Sequence, residues 1–185
     1  MKQSKLKWGH SYHIYNRGNN RGQIFIELEN YDYFMRLYKR YISNIADLFA
    51  YCLLPNHFHF LLRINDKGEG IKRAEEIVSY KFGTFIGTYV KAINHRYSRT
   101  GSLFEGRYQR KEIKTENQFF STLIYIHQNP QKHGYVERFQ NWRFSSYPNY
   151  AEKDPGDLIS SDLFSDPLIY DSIMELHKTY VKDVG

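Results

Sequence analysis

Two histidines separated by one residue lie in an apolar run, residues 54–62, that is typical of a buried strand. Side chains of a strand alternate between its two faces, so His57 and His59 share a face, with Cα atoms roughly 7 Å apart, and Phe58 points to the other. Neutral imidazole nitrogens are common donors to divalent metals, so the pair is half of a metal site. An isolated pair is more often two hydrogen-bonded histidines in an apolar strand, and the remaining ligands must come from elsewhere.

A second pair of chemically active residues lies in an apolar stretch near residue 125. Tyr125 and Asn129 are four residues apart, so on a helix they lie on the same face, one turn apart. Tyr125 could be a nucleophile, and the Asn129 amide could add an oxygen ligand to the histidine pair. The spacing fits equally well a core-facing tyrosine followed by a residue that caps the helix. His127 or Gln128 could replace Asn129 if the helix unwinds before Pro130.

The elements that must position these residues follow the order strand, helix, strand, strand, helix, strand, helix. The predicted strands are residues 10–16, 48–54, 57–64 and 107–114, and the predicted helices are residues 30–45, 73–98 and 115–129. The last of these should end near residue 129, because proline disfavours helical geometry in the residue before it. The order predicts an α+β fold, a ferredoxin-like or RRM-like sandwich. Its helices would cover one face of an antiparallel sheet and leave the other free for a site.

Two local patterns refine the predicted helices. Thr115 and Gln118 match a capping box, so Thr115 should be the N-cap of the third helix. Gly83 and Gly87 lie one turn apart in the second helix, and that spacing is typical of close packing against a sheet. A further helix is predicted over residues 171–182.

Composition narrows the classes of partner. The 185 residues suffice for one domain with a full core, and 26 Lys and Arg against 20 Asp and Glu give a net charge of +6. This balance favours a polyanionic partner such as nucleic acid. The single cysteine, Cys52, forms no disulfide framework and favours a reducing cytoplasm. No apolar stretch approaches the roughly 20 residues needed to cross a bilayer, and none follows the N-terminus as in a signal peptide.

Basic residues concentrate in two loops and in the predicted fourth strand, where together they predict a phosphate track. Each of them alone is more typical of a solvated surface charge. Tyr108 is added to the track because its ring could stack on a base. The candidate DNA contacts are Arg17, Arg21, Arg96, Arg99, Arg107, Tyr108, Arg110 and Lys111.

Taken together, these motifs resemble the single-tyrosine HUH transposases and are most similar to the branch called REP-associated tyrosine transposases. The resemblance rests on residues 54–62, on the Tyr125-x-x-x-Asn129-Pro130 motif and on residues 101–108, with similar segments at 16–18 and 142–147. It covers roughly residues 8–150, with the motifs in the family's order. We therefore predict a catalytic domain with the HUH endonuclease fold over residues 1–150. Residues 151–185 should be a helical extension of the same domain.

The resemblance implies a metal-dependent enzyme of DNA transposition and recombination that nicks and joins single-stranded or hairpin DNA of the REP type. Tyr125 would attack a phosphodiester, leaving a 5′-phosphotyrosine link and a free 3′-hydroxyl, and another 3′-hydroxyl would later rejoin the strands. Mg or Mn on His57, His59 and Asn129 would polarise the phosphate. Insertion-sequence relatives have Gln where this chain has Asn129. Relatives act as monomers or homodimers, and we expect either state, in a bacterial cytoplasm and at the nucleoid when DNA is bound.

Two other functions are compatible with the same residues. One is a non-catalytic ferredoxin-like module that binds nucleic acid, although no strand carries the Arg/Lys-Gly-aromatic pattern of such modules. The other is a metal-dependent phosphodiester hydrolase that uses the histidines and a bound water, with Tyr125 only structural. Only the transposase-type enzyme becomes covalently attached to DNA, and only the binding module needs neither metal nor cleavage.

Overall fold

The structure is a computed structural model that describes residues 5–65 and 74–182. Its strands are β1 (Ser11–Arg17), β2 (Ala46–Leu54), β3 (His57–Ile64) and β4 (Gln109–Ile113), and its helices are α1 (Leu28–Tyr41), α2 (Ala74–Arg96), α3 (Glu116–Lys132), α4 (Tyr147–Glu152), α5 (Asp162–Ser165) and α6 (Pro167–Lys182). The strands form one antiparallel sheet in the order β2-β3-β1-β4, which confirms the predicted ferredoxin-like arrangement. None of the helices within these residues has the length and apolar character required to span a membrane.

Strand β3 is a central strand of the sheet. Its side chains alternate between the face that packs in the core and the face that carries the histidines. Phe58 and Phe60 face α1, where the ring of Phe34 lies 5.1 Å and 6.1 Å from theirs. Phe34 also packs on Phe85 of α2, at 4.7 Å. Each buried aromatic ring contributes about 1.5–3 kcal/mol, so this layer holds β3 in one register. The two histidines of β3 must therefore point to the opposite face.

Helix α3 lies on that opposite face, which the sequence analysis expected to be free. Its Phe119 ring packs at 5.0 Å on Phe49 of β2, and its Tyr125 ring lies 5.8 Å from His59. The helix also continues through Pro130 to residue 132, so the predicted end near residue 129 was wrong. Pro130 is buried. Tertiary burial of this turn overrides the local preference of the residue before a proline.

The beginning of α3 follows the predicted cap with one change. The Thr115 hydroxyl accepts a hydrogen bond from the Gln118 backbone N–H at 3.2 Å, as an N-cap should. The Gln118 side chain, however, accepts from the backbone N–H of Lys114 at 3.0 Å, one residue before the cap. The second hydrogen bond of the capping box thus goes to Lys114 and not to the N-cap residue. It connects the first turn of α3 to the end of β4.

A buried chain of hydrogen bonds ties α6 to α3. The Ile173 carbonyl can only accept, so His177 Nδ1 donates to it at 2.9 Å and His177 Nε2 accepts from His127 Nδ1 at 2.8 Å. His127 Nε2 in turn accepts from the Ser146 hydroxyl at 2.7 Å. Both histidines are neutral in this arrangement. Helix α3 is therefore held from its outer side while its Tyr125 side faces the sheet.

The two glycines of α2 do not pack on the sheet, contrary to the prediction. No atom lies within 4 Å of the position that a Cβ would occupy at Gly83 or at Gly87. Both residues line an open groove of about 560 Å³, which Tyr80, Tyr108 and Arg110 also border. The core contacts of α2 come from its other side.

We expect Gly83→Ala and Gly87→Ala each to raise the free energy of unfolding by about 1 kcal/mol. Alanine has the higher helix propensity, and its methyl group meets open space at both positions. Urea denaturation of the purified variants measures the change. Gly18→Ala is the matched control, since its Cβ would lie 2.0 Å from the Gly22 carbonyl oxygen, and it should destabilise the protein. A loss of stability at position 83 or 87 would contradict the open groove.

The His177 network should make the folded state sensitive to acid. Burial lowers the pKa of His177 to about 4, whereas the unfolded chain titrates near the usual 6.5. The unfolded state binds the extra proton between these values, so this stabilisation is complete above about pH 7 and declines as the pH falls toward 4. The loss attributable to His177 should approach about 3 kcal/mol.

His177→Gln, which cannot gain the proton, should flatten the dependence of unfolding free energy on pH between 7 and 4. Urea titrations at several pH values give the slope for the wild type and the variant. His95→Gln, at an exposed position, is the control and should keep the wild-type slope. Equal slopes for all three proteins would show that His177 is not buried in its neutral form.

Candidate active site

Both histidines of β3 form a hydrogen bond through Nδ1, so Nε2 of each ring remains for the site. His57 Nδ1 lies 2.6 Å from the Asn56 side-chain oxygen, which can only accept, so Nδ1 carries the proton. His57 Nε2 then holds a lone pair, and this buried atom has no hydrogen-bond partner among the described residues. His59 Nδ1 lies 2.9 Å from His13 Nε2. The rings of His57 and His59 meet edge to face at 5.2 Å.

Burial keeps both imidazoles neutral at physiological pH. It lowers the pKa of His57 to about 4; electrostatic interactions with His133 and Arg17 lower this pKa further, and the Asn129 side chain opposes the shift. Burial is also the main cause that lowers the pKa of His59, and the neighbouring His13 and His57 add to it. Neutral rings have free lone pairs, which is the form that binds a metal.

Asn129 adds an oxygen to this group from the opposite side. Its amide nitrogen donates to the Tyr125 carbonyl at 2.7 Å. This hydrogen bond fixes the orientation of the amide group and therefore the position of its oxygen. This oxygen is buried and unpartnered, as is His57 Nε2. A buried polar atom without a partner costs about 1–3 kcal/mol, and one cation between the two would satisfy both.

The donor set fits a divalent cation held by two imidazoles and one amide oxygen. Within residues 5–65 and 74–182, no three His, Cys, Asp or Glu side chains are grouped so as to hold a metal. Asn129 stays the predicted third ligand, and its buried, unpartnered amide oxygen could supply it. An oxygen donor and few protein ligands suit Mg or Mn, which keep several positions for water or phosphate.

Tyr125 is 39% exposed and lines the same cavity as His57 and His59. Its ring is edge to face with His59 at 5.8 Å and with His13 at 6.1 Å. The Lys132 ammonium lies 5.1 Å from the centre of the same ring, one face of which it covers. Sequence reasoning missed Lys132, although its spacing of seven from Tyr125 places both on one helix face.

Two cavities meet at Tyr125. The first has a volume of about 500 Å³, and the histidine pair, Tyr15, Arg17, Glu105, Arg107 and His133 are among the residues that line it. The second has a volume of about 470 Å³ and is lined by His13, Tyr15, His59, Lys111, Ser121, Thr122 and Tyr125. The tyrosine thus stands where a ligand that extends from one cavity to the other would pass.

Three of the eight predicted DNA contacts lie at these cavities. Arg17 and Arg107 line the first, and Lys111 lines the second. Arg21 is exposed in the loop after β1, close to the turn that precedes β3. Arg96 is paired with Glu27, and neither it nor the exposed Arg99 lines either of these two cavities.

Arg110 and Tyr108 correct the predicted track. Arg110 pairs in register with Ile14, a core residue, so its side chain points to the α2 face of the sheet. It is only 10% exposed and bonds to Glu75 at 2.6 Å. The Tyr108 ring packs on Phe82 of α2 at 5.1 Å. Strand alternation puts Arg110 and Lys111 on opposite faces, so one of the two had to face away from the site.

The fold also brings to the site residues that the sequence analysis did not name. His13 bonds to His59, Asn56 bonds to His57, and the ring of His133 lies 4.7 Å from that of His57. His13 alternates with Tyr12 and Ile14 in β1, so a polar residue on the second face was visible in the sequence. Its pairing with β3 was not, because nothing local to β1 specifies its partner.

The chain combines an antiparallel ferredoxin-like sheet, a histidine pair on one face of that sheet and a tyrosine-bearing helix packed over the same face. A solved structure described as a REP-associated tyrosine transposase bound to a REP hairpin has this fold. It matches this chain with a TM-score of 0.62 and 16% sequence identity, over 82% of this chain and 84% of that one. A second, described as a "putative transposase" from Deinococcus radiodurans, matches with a TM-score of 0.43, 19% identity and coverage of 74% and 96%.

Sequence comparison points to the same branch. A Haemophilus influenzae protein named "Putative REP-associated tyrosine transposase" is 27% identical over 101 residues, which cover 53% of this chain and 57% of that protein. The aligned region thus spans little more than half of the relative. No family model matches the chain. The predicted resemblance to the REP-associated tyrosine transposases is confirmed: this chain is similar to them in sequence and in fold.

Proposed function

We propose that this protein is a transposase-type enzyme that nicks and joins single-stranded or hairpin DNA through a covalent bond to Tyr125. The observation that carries the proposal is the position of Tyr125, which is accessible, packs on His59 and lines the same cavity as His57. The buried atoms His57 Nε2 and Asn129 Oδ1 have no hydrogen-bond partner and could hold a cation. A structure of similar fold is described as bound to a REP hairpin, which supports hairpin DNA as the substrate.

The reaction balances without an external energy source. The phenolic oxygen of Tyr125 forms a bond to phosphorus, the bond between phosphorus and the 3′-oxygen breaks, and that oxygen gains a proton. The phenol loses its proton to solvent, so one phosphodiester is exchanged for another. In the joining step a 3′-hydroxyl attacks the phosphotyrosine and the phenol recovers its proton.

The residues around Tyr125 suit this exchange of charge. Lys132 lies over the tyrosine ring, where its positive charge stabilises the developing phenolate. Arg17 and Arg107 line the cavity in front of the histidines and can bind the phosphates on either side of the cleaved bond. A Mg or Mn ion on His57, His59 and Asn129 would act as a Lewis acid toward a phosphate oxygen.

We further propose that residues 1–150 form the catalytic domain and that residues 151–185 extend it. The bond between His127 and His177 supports this division, because it joins α6 to the outer side of the helix that carries Tyr125. The extension would then hold the nucleophile in place. A monomer or a homodimer stays the prediction for the oligomeric state.

Tyr125→Phe should abolish covalent attachment to DNA and keep binding, because only the phenolic oxygen is lost. Incubation with Mn²⁺ and hairpin DNA from the flanks of the gene, followed by denaturing electrophoresis, measures the adduct. Tyr80→Phe is the control, since Tyr80 is 72% exposed on α2 and away from the histidines, and it should form adduct normally. Cleavage without any adduct would favour the metal-dependent hydrolase, and binding without cleavage would favour the non-catalytic module.

His57→Ala should lower the rate of adduct formation by at least about 100-fold, because the proposed ion stabilises charge by several kcal/mol. Chelation of metal should lower the wild-type rate to the same level. Rates of adduct formation with and without Mn²⁺ test both expectations, and hairpin binding reports on folding of the variant. His95→Ala, exposed on α2, serves as the control. Full wild-type activity in a chelator would remove the metal from the proposal.

A further inference from the structure

His13 is a half-buried histidine to which the proposed reaction assigns no role. It lies on β1, and its Nε2 atom is 2.9 Å from Nδ1 of His59. The centroids of the two rings are 5.0 Å apart and their planes differ by 29°. His59 pairs in register with Tyr15, so His13 is its diagonal neighbour on the same face of the sheet. The contact is therefore set by the pairing of the two central strands.

We propose that His13 is a positioning residue that holds His59 in the one form able to bind a metal ion. The inference rests on the proposed function, which makes His59 a ligand. A neutral imidazole carries one proton on two nitrogens. If His59 Nδ1 donates to His13, the lone pair of His59 stays on Nε2. If the bond were reversed, the proton would lie on His59 Nε2, and this nitrogen could not bind a cation.

His57, the neighbouring proposed ligand, is oriented in the same way, by a hydrogen bond from its Nδ1 atom, but to Asn56. His57 Nδ1 donates to the Asn56 side-chain oxygen, and its Nε2 is left buried and unpartnered. Both members of the histidine pair thus have an acceptor on the side away from the proposed ion. An acceptor of this kind orients the ring and raises the basicity of the ligating nitrogen. In His59 that acceptor is another imidazole, supplied by a different strand.

His13 is also placed to orient Tyr125. Its ring lies edge to face with the tyrosine at 6.1 Å, and the His59 ring meets the same tyrosine at 5.8 Å. The three rings form one packed group, so the plane of His59 and the position of the nucleophile are set together. His13 contacts both His59 and Tyr125, so its effect on the reaction passes through these two residues.

Metal binding in the absence of DNA tests this role directly. Titration of the full chain with Mn²⁺, followed by electron paramagnetic resonance of the free ion, gives the dissociation constant. His13→Leu removes the acceptor and should weaken binding about 10- to 100-fold. His13→Gln should bind nearly as well as the wild type, because its side-chain oxygen can accept from His59 Nδ1. Thermal unfolding of each variant verifies that it is folded.

Tyr15→Leu is the matched control for packing alone. Tyr15 contacts His59 through its ring, at 5.7 Å, in the same face of β1. Its loss should change Mn²⁺ affinity much less than the loss of His13. The positioning role would be overturned if His13→Leu and His13→Gln weakened Mn²⁺ binding equally, or if His13→Leu did not weaken it. Mn²⁺ binding by the wild type would still support the metal site in either case. A wild-type protein that binds no Mn²⁺ would overturn both that role and the metal in the proposed function.

Discussion

The pairing of β3 with its two neighbours is the constraint on which the site depends. Its register against β1 and β2 places Phe58 and Phe60 among the rings of the core and, by alternation, both histidines on the opposite face. A slip of one residue would exchange the two sets. The turn before β3 is anchored as well, because the Pro55 carbonyl accepts from the backbone N–H groups of residues 24 and 25.

The same burial that stabilises the sheet creates the chemical properties of the site. Removal from water keeps the histidines neutral and leaves two donor atoms, on His57 and Asn129, without partners. Each such atom costs about 1–3 kcal/mol, and the aromatic layer on the other face more than offsets this. The Nδ1 atoms, by contrast, are satisfied by Asn56 and His13. On His57 the unpaired nitrogen is therefore Nε2, because Nδ1 is bonded to Asn56.

Much of the fold could be predicted because hydrophobic periodicity is local. The bounds of β3 were predicted without error, and those of β1 and α2 within two residues. The errors share a cause, since the end of α3, the open space beside Gly83 and the inward side chain of Arg110 each depend on a packing partner far along the chain. Periodicity says which face of an element is apolar, but it does not say what covers that face.

The sequence by itself determined which side chains share a face: His57 with His59 on a strand, and Tyr125 with Asn129 on a helix. It also determined, through its aromatic residues, that one side of the sheet is a core. Only the tertiary structure decided that α3 lies on the second face, and that His13, His133 and Lys132 join the site there. The reason is physical. Side-chain direction follows from backbone repeat within a few residues, whereas the meeting of two faces depends on burial summed over the whole chain.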